Sequence, residues 1–423
     1  MIFIFFFLAA ILIFLGWQSL RGGIDYLNFF KRELTKPKSN FTPFVSIIAP
    51  CRGVDEDLSI NFSALFEQNY PNYEIIFVVD NGMDESVPII KSLIREYEKN
   101  GKWKMENGKF QIAESPLSVV QYPFSSSLVI SGKASDSSQK VHNLRHAVLE
   151  ANQASQVFAF VDSDTRTGAD WLRNLVAPLQ NESVGCTTGY RWFIAKRGGI
   201  FSHLQTVWNA SIASALGANL KNNFCWGGSM AIRRETFERL NIREKWRGTL
   251  SDDYILTKTV SKANLSIYFV PQCLTASFID CTWGELLEFT TRQMKITRVY
   301  APHLWKLSFI GSIFFSSIFW TGAGLLFFLI GWKFWLTFVF VSVIFALGAC
   351  KAWIRLNAVK LILKNYANEL NRQLFAQITL WTLTPILFFY NCLHAAFSRK
   401  IRWRGTLYEL KSASETVIIN GDD

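Results

Sequence analysis

Acidic residues recur in this chain where apolar runs stop. Val157 to Val161 ends at Asp162 and Asp164, in the stretch FAFVDSDT. An apolar run broken off by carboxylates reads as a buried strand ending at a site, and ligands in open α/β sheets sit at such strand ends. Two carboxylates at i and i+2 suit a hard divalent cation, Mg²⁺ or Mn²⁺, that keeps positions for water and phosphate. Alone, the pair also fits a polar turn after a core strand. Glu74 to Val79 runs in the same way into Asp80, and Asp252 and Asp253 open a helix in RGTLSDDYILTKTV. The positive end of a helix dipole would keep Asp253 ionised and basic. A helix N-cap is the plainer reading of that acidic pair by itself.

These acids need a scaffold that brings them to one edge. Phe44 to Ala49 is a β-branched run stopped by Pro50, which predicts a first buried strand, and EIIFVV predicts a second. Helices are expected over residues 60–68, 87–98, 140–151 and 171–178, with further strands at Val184 to Tyr190 and Ile267 to Val270. Strand, helix, strand, helix in this order is a parallel, doubly wound α/β pattern. Residues 101–139, rich in Ser, Gly, Lys and Asn, read as a loop-rich insert with one edge strand near Phe110 to Ala113. Phe224 to Arg233, FCWGGSMAIR, puts two glycines after an aromatic, so backbone can lie close to the flat ring of Trp226. Phe201 to Asn219 reads as an unusually apolar helix.

The chain has 423 residues and a net charge of +11, and half of it is apolar, concentrated towards the ends. That distribution describes a multi-pass membrane protein with a more polar middle, its positive excess following the positive-inside rule and anionic lipid heads. No compact basic, aromatic-interleaved module points to nucleic acid. Seven cysteines without C-x-x-C spacing give neither a disulfide framework nor a zinc site, and read as reduced, buried thiols. Residues 1–20 predict an uncleaved transmembrane helix, because Arg21, Lys31 and Arg32 follow the apolar stretch instead of preceding it. The polar middle, 41–284, which holds the acidic positions, then faces the cytosol. An amphipathic interface helix is expected over 285–305, and a transmembrane region over 306–398 with two to three spans, at 307–331, 334–350 and 373–397. A basic surface segment is expected at 351–372 and a tail at 399–423. If 373–397 crosses, the tail lies outside, yet Arg399, Lys400, Arg402 and Arg404 argue for inside; the sequence leaves both open.

Three acidic positions at one predicted edge match the labour of nucleotide-sugar transfer. One carboxylate contacts the nucleoside, a pair holds a metal against the diphosphate, and one acid takes the proton of the incoming hydroxyl. With these residues in order, the chain resembles the ceramide glucosyltransferase family, within the inverting, family-2-like glycosyltransferases of GT-A fold. GVDEDLSINFSALFEQNYPNYEIIFVVDNGMDE looks like that family's opening strand and first aspartate, KVHNL its lysine-asparagine segment, VDSDT its second acidic box, SDDY its third, and WRGTLYEL its C-terminal tail.

The resemblance implies an α/β GT-A domain with N- and C-terminal transmembrane helices. It implies a hexosyltransferase that moves glucose from UDP-glucose to the primary hydroxyl of a membrane lipid, with ceramide as the leading acceptor. Asp253 would be the general base with Asp252 beside it, and Asp162 and Asp164 would hold a divalent metal. Asp80, Lys140, Asn143, Asp162, Trp226, Arg292 and Lys295 would bind the donor. The family's closing motif is (Q/R)-x-x-R-W; here it reads RQMKI, with Lys295 for Arg and Ile296 for Trp. Lysine keeps a charge but loses the bidentate fork. A full D-x-D stands where eukaryotic members carry Asp-Ser-Gly, which favours direct metal coordination. Other readings are another UDP-sugar passed to a hopanoid or diacylglycerol, a processive polysaccharide synthase, or a non-catalytic membrane scaffold that kept the fold.

Overall fold

A computed structural model describes residues 2–99, 105–106, 109–110 and 125–420. The strands are β1 (Val45–Pro50), β2 (Tyr73–Val79), β3 (Met105–Glu106), β4 (Lys109–Phe110), β5 (Ser125–Ile130), β6 (Val157–Val161), β7 (Val184–Ala195), β8 (Ser229–Arg233), β9 (Ser266–Ile279), β10 (Lys400–Trp403), β11 (Thr406–Ser412) and β12 (Glu415–Asn420). The main sheet has the order β5-β2-β1-β6-β8-β7-β9. Its first four strands are parallel, β8 turns antiparallel beside β6, and β7 pairs antiparallel with β8. Every residue of β1, β2 and β6 is buried. A parallel strand is covered on both faces, which is why these segments read as continuous apolar runs.

Helices Leu58–Phe66, Ser86–Lys99, Gln139–Ala147 and Trp171–Val176 alternate with the parallel strands, as the doubly wound pattern requires. The core joins Ile47, Ile75 and Phe77 of the strands to Phe62, Ile90 and Trp171 of the helices.

The insert departs from expectation. β5 lies within it and pairs in parallel with β2 at the sheet's edge. Its sequence SSSLVI gives no strand signal over its first half, because an edge strand can carry polar residues. The edge strand expected near Phe110 is met only by the short β3–β4 hairpin; residues 111–113 lie outside the described residues. β7 and β9 run to Ala195 and Ile279, well past the apolar runs that announced them. All seven cysteines are free, and five of them are buried.

The chain divides into two compact units, one comprising Met1–Thr35, Trp192–Ala218 and Phe278–Ile401, the other Lys36–Arg191, Asn219–Ser277 and Arg402–Asp423. In the first, three helices are long and apolar enough to cross a membrane: Ile2–Leu34, Pro302–Leu325 and Gly331–Ile362. The N-terminal helix has 33 residues, about 50 Å at 1.5 Å per residue. A hydrocarbon core of about 30 Å takes some 20 of them, so the basic part from Arg21 continues the same helix beyond it. The Gly331–Ile362 helix likewise absorbs the first part of the basic segment expected at 351–372.

These two helices run parallel. A Cβ on Gly16 would stand 3.1 Å from Leu347, one on Gly23 3.1 Å from Lys351, and Phe6 meets Phe340 at 5.7 Å, so the partner numbers rise together. The expected interface helix is Trp283–Tyr300, started by a Thr282–Glu285 capping box. The segment expected at 373–397 forms as two helices, Leu374–Thr382 and Thr384–Phe397, bent by 56° at their junction and together long and apolar enough for a broken span or a re-entrant loop. Pro385 sits in the first turn of the second helix, where its missing N–H costs nothing.

Gly189 in β7 shows how closely this sheet packs. A Cβ there would lie 2.4 Å from the Cys273 carbonyl oxygen, and a backbone atom cannot step aside. Gly189→Ala is expected to destabilise the protein by about 1–3 kcal/mol, the usual cost of overpacking. A lowered thermal midpoint of the detergent-solubilised protein checks it.

Candidate active site

The parallel register brings the ends of β1, β2 and β6 to one edge, with Pro50 beside Val78 and Ile48 beside Phe160. The loop after β1 turns through Gly53 at φ +67°, a left-handed position that glycine takes without penalty. The Gly53 N–H donates to both oxygens of Asp84, at 3.1 and 2.9 Å. Arg52 in that loop lies 3.6 Å from Asp80.

After β6 the chain turns at once: the Thr165 N–H donates to the Asp162 carbonyl at 3.0 Å. Between the two aspartates, Ser163 Oγ donates to Asp55 Oδ2 at 3.0 Å. Arg191 of β7 reaches Asp164 Oδ2 at 3.3 Å.

Lys140 holds the second and third acidic segments together. It rises from the Gln139–Ala147 helix, capped by Ser138. Its Nζ stands 2.7 Å from Asp162 Oδ1 and 3.3 Å from Asp252 Oδ1. Burial works against the ammonium, but Asp162, Asp252 and Asp253 more than offset it and push its pKa up. Gly227 makes the meeting possible: a Cβ there would lie 2.5 Å from both Asp252 Oδ2 and Lys140 Nζ.

The cap of the Asp252–Lys262 helix is Ser251, so the acids occupy its first turn. Asp253 accepts from the Ser251 hydroxyl, from the Tyr254 N–H at 2.8 Å and from the Gly227 N–H at 3.3 Å. Asp252 is buried, and its Oδ2 has no hydrogen-bond partner among the described residues. Burial foremost, against the pull of Lys140 and with help from Asp253 and Asp162, pushes its carboxyl up to about 6.

Trp226 is largely buried, with Tyr190 at 5.5 Å and the Arg191 guanidinium 5.5 Å over its ring. Gly228 lets the ring lie flat against backbone, since a Cβ there would fall 2.2 Å from it.

The structure thus gathers Asp80, Lys140, Asp162, Asp164, Trp226, Asp252 and Asp253 in one unit. Asn143 sits beneath this edge: its Oδ1 accepts from Ser131 and Gln139, both at 2.7 Å, so its amide ties the helix to neighbouring loops. Arg292 and Lys295 lie on the Trp283–Tyr300 helix of the other unit. Arg292 stacks over Phe289 at 5.5 Å, and Lys295 Nζ donates to the Lys400 carbonyl at 2.8 Å. Sequence reasoning missed Arg52, Asp55, Arg191 and Arg404. Arg404 was visible as part of WRGTLYEL and among the tail cations, and Arg191 only as the cation just after the strand expected at Val184 to Tyr190.

A divalent cation at this edge passes a test of donor chemistry. No cluster of three or more His, Cys, Asp or Glu that could hold a metal occurs among the described residues. A hard cation that leaves most positions to water and diphosphate needs only one or two carboxylates. The Asp164 side chain is 45% exposed, so it can meet such an ion from the open side, with Asp162 beside it.

A mostly parallel sheet with acids at its carboxyl edge, a D-x-D turn and an antiparallel β8 defines a GT-A glycosyltransferase domain. The chain belongs to glycosyl transferase family 21, whose model matches residues 6–105 and 118–416. It is similar to ceramide glucosyltransferases. The Komagataella phaffii enzyme is 29% identical over 76 residues, 18% of this chain and 15% of the relative. Ceramide glucosyltransferase 3 of Caenorhabditis elegans is 39% identical over 76 residues, 18% and 16% of the two chains. The Candida albicans enzyme is 44% identical over 55 residues, 12% and 10%. The matched segment therefore spans less than a fifth of the length of each relative. Among solved structures, a Pyrobaculum calidifontis mannosyltransferase in complex with GDP-Man and Mn2+ aligns over 92% of this chain and 98% of its own, at 16% identity and a TM-score of 0.44.

The upward shift of Asp252 sets a sign. Its stability contribution is full below the ordinary carboxylate range and is lost as pH rises through about 6. Asp252→Asn does not titrate. Its thermal midpoint relative to the unsubstituted protein should therefore become more favourable between pH 5 and pH 8. A difference that is constant or moves the other way contradicts this assignment.

Proposed function

We propose that this protein transfers glucose from UDP-glucose to the primary hydroxyl of a membrane lipid, with inversion, and that ceramide is the acceptor. The observation that carries the reading is the Lys140 bridge, which joins the D-x-D carboxylates to the helix that bears Asp252 and Asp253. Donor and base machinery thereby share one sheet edge. Membership of the family and the similarity to ceramide glucosyltransferases support the donor and acceptor classes.

In this mechanism the acceptor oxygen forms a bond to the anomeric carbon from the face opposite the diphosphate. The bond from that carbon to the diphosphate oxygen breaks, and UDP leaves with the electron pair. Asp253 takes the hydroxyl proton; the hydrogen bonds from Ser251, Tyr254 and Gly227 hold its carboxylate in one orientation. Asp80 faces the nucleoside. Asp164, assisted by Asp162, would hold a divalent cation, which when bound neutralises charge on the leaving group. Trp226 would shape the sugar pocket.

The test uses detergent-solubilised protein, labelled UDP-glucose, a divalent metal and a panel of ceramide, diacylglycerol and hopanoid acceptors. Labelled glucosylceramide is expected. Asp253→Asn keeps the shape of the carboxylate and should lower turnover by about 10²–10⁴, the usual worth of a general base. Product on another lipid would replace the acceptor, and no binding of any UDP-sugar would sink the enzyme reading.

The same reading places the catalytic unit and the tail together in the cytosol, with three crossings. Two observations support it. The parallel pairing of the Ile2–Leu34 and Gly331–Ile362 helices points their C-terminal ends to one side. The tail after Ile401 belongs to the catalytic unit, so the bent Leu374–Phe397 segment starts and ends on that side and does not cross. Tags on the two termini should then be accessible from opposite faces of the membrane; equal accessibility from one face would mean an even number of crossings.

A further inference from the structure

The C-terminal hairpin places a guanidinium beside the acidic edge. β10 and β11 are joined by two residues, Arg404 at φ +48° and Gly405 at φ +80°. Both central residues with positive φ make the tight hairpin turn in which Asn-Gly or Gly-Gly is preferred. The other non-glycine residues with positive φ among those described are Asn241 and Asn264, for which that region is ordinary. Arg404 is the long side chain held there, and a strained position kept against local preference points to function.

The side chain reaches the loops of the site. Arg404 Nη2 is 2.8 Å from Asp55 Oδ2, the same oxygen that accepts from Ser163 inside the D-x-D turn at 3.0 Å. Its Nη1 donates to the Arg52 carbonyl at 3.4 Å. Next along the hairpin, Thr406 Oγ1 accepts from Arg52 Nη1 at 2.8 Å, and Arg52 in turn lies 3.6 Å from Asp80. The tip of the hairpin therefore bridges the loop after β1, beside Asp80, and the turn after β6, where Asp162 and Asp164 stand. These contacts use two of the five guanidinium donors, and the Arg404 side chain is 41% exposed. A planar fork with donors to spare beside a D-x-D turn matches a phosphate bidentately. Lys295, the cation of the RQMKI segment, donates from Nζ to the Lys400 carbonyl at 2.8 Å.

We propose that Arg404, presented by the strained tip of the C-terminal hairpin, binds the diphosphate of the nucleotide-sugar donor, so that the tail completes the donor site. The proposal rests on the donor reading given above.

Arg404→Asn is the informative variant, because asparagine suits the turn while removing the cation. UDP and uridine binding are compared by competition titration on the full-length, detergent-solubilised protein, alongside its thermal midpoint. The expected result is an unchanged or raised midpoint, a UDP affinity lowered at least tenfold, and an unchanged uridine affinity. Arg404→Lys should fall between, keeping charge without the fork. Equal losses for UDP and uridine would make the hairpin a purely structural strap and overturn the proposal, as would an unchanged UDP affinity. If the unsubstituted protein binds uridine and UDP equally, Arg404 is not a diphosphate ligand, although a nucleotide site stands. If it binds neither, the donor reading itself fails.

Discussion

Like charges crowd one sheet edge in this protein, and the rest of the site depends on how they are held. Asp162 and Asp252 come from segments about ninety residues apart in the chain, and one of them is fully buried. A buried carboxylate facing a second one would be repelled and would take up a proton. The Lys140 ammonium between them relieves that repulsion, and the absence of a Cβ at Gly227 leaves it room. Remove the ammonium, and the helix that carries Asp253 has no charge-based reason to stay against the D-x-D turn.

The same economy recurs around the edge. Asp164 meets Arg191, Asp80 lies near Arg52, and Asp55 meets Arg404. Each acid has a cationic neighbour; a metal ion could take that cation's place at the acid, and a phosphate could take the acid's place at the cation. A site arranged this way is stable before ligand arrives, and ligand binding becomes an exchange of partners more than a fresh desolvation of bare charge. Arg191 also covers the Trp226 ring, so that movement of its guanidinium towards a phosphate would uncover an aromatic face.

The membrane unit follows different rules. Its helices are specified by length and apolarity, and close approach between them relies on small residues such as Gly16 and Gly23. The parallel pairing of two helices separated by some three hundred residues is what the proposed topology rests on. The bent helix pair around Pro385 is the element whose course through the membrane the proposed three-crossing topology decides.

Local pattern alone determined a good part of this protein. The buried strands β1, β2 and β6 were legible because a parallel strand must be apolar on both faces, and the acids that end them were legible because charge cannot continue into that core. The helix opened by Asp252, the apolar N-terminal helix and the Trp-Gly-Gly turn were equally local. Tertiary structure decided what depends on partners distant in sequence. β5 is Ser-rich and became a strand only through the edge of β2. Asn143, which the resemblance implies as a donor residue, holds its oxygen on Ser131 and Gln139, contacts that no local pattern announces. The tail carried a cluster of cations whose placement by charge conflicted with counting spans. Its hairpin turned out to belong to the catalytic unit, because the Arg404–Asp55 and Arg52–Thr406 contacts join residues about 350 positions apart. Periodicity reports on neighbours within one element; an ion pair across the chain leaves no trace in it.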